Sequence, residues 1–180
     1  MVDFSVYLFK EIFFGGNFMP ANLTNDNSIL YGLPQLKLSL MRRADSKSTK
    51  ISCAKDVLNF LMPLKMACDE YFLTVHLNPK LEIIGIHEVS HGTLTNSFIH
   101  PRELFKAACL ANTHSLILCH NHPSGSLEPS NEDLNLTIRL INAANLMGFI
   151  ILDHLIVGGG KMKKYYSFRE DQNHLWDNNF

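Results

Sequence analysis

The stretch SLILCHNHPSGSLEPSNEDLNLTIRL, Ser115–Leu140, constrains this chain more than any other part of it. A short apolar run of strand length closes on His120, Pro123-Ser124-Gly125 reverses the chain, and Ser130 opens a helix that runs to Gly148. Strand, tight turn and helix in that order bring the end of the strand and the first turn of the helix to one place. Leu134, Ile138 and Ile141 share one helical face, with Leu136, Leu140 and Met147 elsewhere around it, so the helix is expected to be well buried on more than one side.

His120 and His122 stand at i and i+2 at the strand end, where side chains project to the same side, so both imidazoles can reach one ion at about 2.0–2.1 Å. Asp133, one turn into the following helix, can present a carboxylate back toward them as a third ligand. Three protein ligands leave a fourth position for water, which distinguishes catalytic from structural zinc sites. Nitrogen and oxygen donors without thiolate suit zinc, and iron and manganese accept the same set. Each piece also has an ordinary reading: Ser130-x-x-Asp133 is a helix capping box, and a histidine pair in a loop is commonly polar surface. The joint spacing at a strand mouth and a helix start points to a metal centre. The Ser130 hydroxyl can cap its helix and still donate to a developing oxyanion.

Ser52 is a candidate N-cap ahead of Val57, Leu58, Leu61 and Leu64 at helical spacing, which predicts a helix of about three turns ending near Pro63. YFLTVHL and LEIIGIHEVS flank Asn78-Pro79 and predict two antiparallel strands. After Thr95-Asn96-Ser97, Pro101 marks the first residue of a second helix, with Leu104, Phe105, Ala108 and Cys109 on its apolar face. FIILDHLIVG predicts the last strong strand, followed by a glycine turn and a terminal segment. Without strict alternation of strand and helix, these elements predict an α/β fold with a mixed β-sheet sandwiched by helices. Residues 1–50 show no clean period and end in Arg42, Arg43, Lys47 and Lys50; they are expected to form an N-terminal extension or adaptor to a domain over 51–180.

With 180 residues, 46% of them hydrophobic, the chain can bury one sizeable core. A net charge of −1 and a pI of about 6.7 provide no positive field to draw it to nucleic acid or anionic lipid, so nucleic acid is not the default partner. Cys53, Cys68, Cys109 and Cys119 lack metal or redox spacing and are expected to be reduced, buried small hydrophobes. Lys10 and Glu11 interrupt the opening apolar run well short of a membrane span, which completes a cytoplasmic expectation. No glycine-rich phosphate loop follows a strand.

HPRELFKAA at His100–Ala108, HNHPSG at His120–Gly125, EPSNED at Glu128–Asp133 and LDHLIVG at Leu152–Gly158 resemble RadC-like proteins of the MPN/JAMM (JAB) metallopeptidase superfamily, over about Leu33 to Phe168. The resemblance implies a cytidine-deaminase-like, JAB/MPN-type fold and one zinc ion (Zn2+) with a bound water on His120, His122 and Asp133. It further implies that Ser130 stabilises the tetrahedral intermediate of peptide or isopeptide cleavage and that a glutamate is the general base, at the position matched by Glu70. Glu88, on a neighbouring strand, is the alternative base, and Glu103 a third candidate.

The implied function is a zinc-dependent metallohydrolase, a metallopeptidase or isopeptidase acting on a peptide or protein substrate. Two other classes stand beside it: a non-catalytic MPN-type scaffold, and a DNA-repair accessory that binds nucleic acid through Arg42, Arg43, Lys47 and Lys50. The helix-hairpin-helix segment often found ahead of this domain is not recognisable in residues 1–50, which weighs against the last. His100 is expected to cap or pack, and Asp153-His154, inside an apolar strand, to require hydrogen-bond partners.

Overall fold

Asn78 turns the chain by accepting from the backbone N–H groups of Lys80 and Glu82 through its side-chain oxygen, so the flanking segments pair as a hairpin. In this computed structural model, which describes residues 49–61, 63–92, 99–158 and 165–177, those segments are β1 (Tyr71–Leu77) and β2 (Ile83–His91). With β3 (Ser115–His122), β4 (Ile150–Gly158) and β5 (Tyr165–Ser167) they form one sheet in the order β2-β1-β3-β4-β5. Only β3 and β4 run parallel. A parallel pair needs a crossover, here supplied by the helix Asn131–Met147. The result is a mixed sheet in an α/β fold. Residues 1–48 of the expected extension, including Arg42, Arg43 and Lys47, the Thr95–Ser97 turn and Gly159-Gly160 lie outside the described residues, while Lys50 forms an antiparallel bridge with Glu82.

Alternation along β3 sorts the core. Ile117 and Cys119 face a cluster with Val57, Leu58, Leu61 and Leu64, carried by α1 (Ala54–Leu58) and the segment after it. Leu116 and Leu118 face the opposite cluster, with Leu104 and Phe105 of α2 (Pro101–Leu110) and Leu140, Ile141 and Ala144 of α3 (Asn131–Met147). By the same period of two, His120 follows Leu118 onto the α2/α3 face, and Asn121 follows Cys119 onto the α1 face.

Several expectations are corrected. The three-turn helix is a five-residue α1, capped by Cys53 rather than Ser52. Beyond it the chain makes i to i+3 turns, such as Phe60 N to Val57 O, and a 3₁₀ turn at Leu64–Met66, because Pro63 has no N–H and disfavours helix before it. α3 is buried along one face only, Asp133, Thr137, Leu140, Ile141 and Ala144, and leaves Ile138, Leu146 and Met147 exposed. β3 runs on through His122 instead of stopping at His120. The terminal segment holds β5, α4 (Phe168–Asp171) and a 3₁₀ turn at Asn173–Trp176, docked by buried Phe168 and a bond from Trp176 Nε1 to the Ile151 carbonyl. Of the cysteines, only Cys119 is buried; Cys53, Cys68 and Cys109 are exposed free thiols, placed near helix ends or in turns that the core does not cover. Among the described residues no helix is long and apolar enough to cross a membrane.

Candidate metal centre

β3 delivers His120 and His122, and the first turn of α3 delivers Asp133, because Ser130 caps that helix beside the strand mouth. The two Nε2 atoms lie 3.1 Å apart, His120 Nε2 is 3.2 Å from Asp133 Oδ1, and His122 Nε2 is 3.5 Å from Asp133 Oδ2. Donors placed tetrahedrally at about 2.0–2.1 Å from zinc are separated by about 3.3–3.4 Å. The three groups converge at close to that separation, and their nitrogen and oxygen donors suit one small cation.

Glu70, just ahead of β1, completes a wider cluster: one of its oxygens and a nitrogen from each of His120 and His122 all lie within 4.8 Å of one another. Two carboxylates thus flank the imidazole pair. Asp133 approaches the pair through both oxygens, Oδ1 toward His120 and Oδ2 toward His122.

Electrostatics bind the group together. Burial alone would push the Asp133 carboxyl up, but the facing His120 and His122 rings and the Ser130 hydroxyl outweigh it and hold the group far below the usual carboxylate range. The Asp133 hydrogen bond raises His122 above the ordinary imidazole value against the effect of burial. His154, fully buried, is pushed well below that value by desolvation.

The ligand side chains are held from behind. His122 Nδ1 donates to the Ser126 carbonyl at 3.1 Å, which leaves its Nε2 turned to the site. His120 Nδ1 lies 2.8 Å from His154 Nε2, and His154 Nδ1 lies 2.6 Å from Thr137 Oγ1. His120 and His154 also pack against Phe72, fully buried, and His154 stacks on Phe168. Gly158 lies beside His122 in the β3–β4 register, and a Cβ there would stand 2.8 Å from the Gly125 carbonyl, so glycine lets the His122–Ser126 turn lie close over β4.

The remaining sequence candidates fall as follows. The capping box and the site are one arrangement: Asp133 Oδ2 accepts from Ser130 N at 2.8 Å and Ser130 Oγ at 2.6 Å, while Oδ1 faces His120. The single hydroxyl proton of Ser130 is therefore donated to Asp133 Oδ2 here. Glu88 is not brought to the histidines. It pairs with Leu73 and, exposed, borders a hollow with Phe60, Leu64 and Ile86 on the α1 face, so the sheet stands between it and His120. Glu103 is exposed on α2 and pairs with Lys106 and Arg102. His100 caps α2 through Nδ1. Asp153 ties β4 to the terminal segment by accepting from Ser167 Oγ and from the N–H groups of His154 and Arg169.

Thr137 and Asn121 carried no signal that sequence reasoning used. Thr137 stands four residues after Asp133, and that helical spacing would have placed it behind the same ligand. Asn121, enclosed by the two histidines, is 1% exposed and bonds to the backbone around Glu70.

The model of the RadC-like JAB domain family matches residues 51–174. The chain is 42% identical over 140 residues to a UPF0758 protein of Caldanaerobacter subterraneus subsp. tengcongensis, covering 74% of this chain and 60% of that one. It is 46% identical over 123 residues to a UPF0758 protein of Clostridioides difficile, covering 68% and 51%. A UPF0758 protein of Staphylococcus haemolyticus is 40% identical over 144 residues, covering 79% and 62%. The chain spans roughly half to three fifths of the length of these curated relatives.

Proposed function

The chain belongs to the RadC-like JAB domain family, and from that premise we propose that it is a zinc-dependent metallohydrolase that cleaves peptide or isopeptide bonds. The observation that carries this reading is the convergence of His120 Nε2, His122 Nε2 and the Asp133 carboxylate at 3.1–3.5 Å from one another, with a second carboxylate, Glu70, within reach of the same imidazoles. When bound there, zinc supplies Lewis acidity that polarises a carbonyl and acidifies a water.

The chain's own groups supply the rest. Glu70 takes a proton from the water that attacks the scissile carbonyl carbon, and returns it to the leaving amine as the C–N bond breaks, giving a carboxylate and a free amine. Ser130 turns its hydroxyl from Asp133 Oδ2 to the developing oxyanion; Asp133 Oδ2 keeps the Ser130 N–H at 2.8 Å. His120, His122 and Asp133 stay fixed throughout, since each is tied by a second bond.

Purified protein is expected to hold about one zinc per chain, and the zinc-loaded protein to cut members of a peptide and isopeptide library. Glu70→Gln should retain zinc and lose hydrolysis. Full zinc content in His122→Ala, or full hydrolysis in Glu70→Gln, would overturn the corresponding assignment.

A further inference from the structure

Resting on that cation-binding reading, we infer that Thr137 and His154 are positioning residues: a directed hydrogen-bond relay from the α3 backbone through both side chains fixes His120 in the tautomer whose unprotonated Nε2 faces His122 and Asp133.

The direction is set at the far end. The Asp133 backbone carbonyl can only accept, and Thr137 Oγ1 stands 2.6 Å from it. A hydroxyl has one proton, so that proton lies on the carbonyl side, and the Thr137 oxygen must accept in its 2.6 Å contact with His154 Nδ1. A neutral imidazole carries one N–H. With it on Nδ1, His154 Nε2 accepts, and its partner at 2.8 Å, His120 Nδ1, must donate. His120 Nε2 is thereby left with its lone pair, 3.1 Å from His122 Nε2 and 3.2 Å from Asp133 Oδ1.

His122 reaches the same end by a shorter route, since the Ser126 carbonyl accepts from its Nδ1 directly. The longer relay lies in a sealed space: His120, His154 and Thr137 are all 0% exposed, between Phe72 and Phe168. The relay contains no carboxylate, a partner that would raise the basicity of the ligating ring. The relay also begins on the backbone of Asp133, so the orientations of two donors are coupled through one chain of bonds.

The test uses the full chain without metal. Long-range proton–nitrogen NMR should show His120 protonated at Nδ1 in the parent, and a mixed or inverted tautomer in the near-isosteric Thr137→Val. Zinc affinity, measured by chelator competition, should fall about 10–100-fold in Thr137→Val and recover in Thr137→Ser. His154→Phe, which keeps an aromatic ring in the stack, should show the same loss and serves where Thr137→Val folds poorly. An unchanged His120 tautomer with parental zinc affinity in both variants overturns the relay. If His122→Ala loses zinc while these variants bind like the parent, the relay alone fails. If His122→Ala keeps its zinc, the metal reading fails, and the tautomer signal in metal-free protein still decides the relay.

Discussion

Asn121 holds the backbone on both sides of Glu70: its Oδ1 accepts from the Tyr71 N–H at 2.8 Å, and its Nδ2 donates to the Asp69 carbonyl at 3.0 Å. The residue between the two histidines therefore fixes, from the α1 face of the sheet, the backbone that carries the proposed base on the other. Asn121→Ala removes the partner of the Tyr71 N–H and of the carbonyl of exposed Asp69, freeing the backbone on both sides of Glu70. The expected outcome is unchanged zinc content, faster hydrogen exchange at Tyr71 N–H, and loss of hydrolysis on the order of a hundredfold from misplacement of Glu70. Parental exchange and activity would show that Glu70 is held by other contacts.

Zinc binding should strengthen with pH. The Asp133 hydrogen bond raises His122 above the ordinary imidazole value, so below that raised value a cation must displace a proton from it. Affinity is expected to rise about tenfold per pH unit in this range and to level off above it. Chelator competition across the neutral range checks the slope, and a flat profile would contradict the coupling.

Gly158→Ala tests the close approach behind His122. A Cβ at this position meets the Gly125 carbonyl at 2.8 Å and Leu127 Cδ2 at 2.7 Å, and the first is backbone that cannot swing aside. The turn must lift, at about 1–3 kcal/mol. Both the melting temperature and the zinc affinity should drop; a lower melting temperature with parental affinity would separate the turn from the site.

Away from the metal centre, His76 should make the fold sensitive to acid. Burial, reinforced by His87, lowers it from 6.5 to about 4, and Thr74 and Thr113 hold its two ring nitrogens at 2.9 and 2.8 Å. The unfolded chain takes up the proton first, so this contribution is present above about 6.5 and is lost as pH falls toward 4. The loss is on the order of 3 kcal/mol. Denaturant titrations at a series of pH values should show it, and His76→Gln should flatten the dependence.

Much of the site is written locally. His120, His122, Ser130 and Asp133 lie within one strand–turn–helix, so their spacing can be read from periodicity and capping chemistry. Even the two competing readings of Ser130-x-x-Asp133 prove compatible, because a carboxylate has two oxygens: Oδ2 closes the cap and Oδ1 faces His120. Glu70 and Glu88 could not be separated that way. Each is a carboxylate on or beside a strand, and only the pairing of Leu73 with Glu88 assigns the latter to the α1 face. The exposed Cys53, Cys68 and Cys109 went unrecognised for a related reason, since burial of one small residue near a helix end or in a turn depends on what the rest of the chain brings over it.

Local order along the chain set the strand–turn–helix, its cap and the three proposed donors, since these depend on neighbours within about twenty residues of one another. Folding decided what surrounds them. Sheet register placed Glu88 on the α1 face, away from the histidines, and packing of α3 against β4 put Thr137 and His154 behind His120. Contacts between residues far apart in sequence are formed by burial of the whole core, and no local period records them.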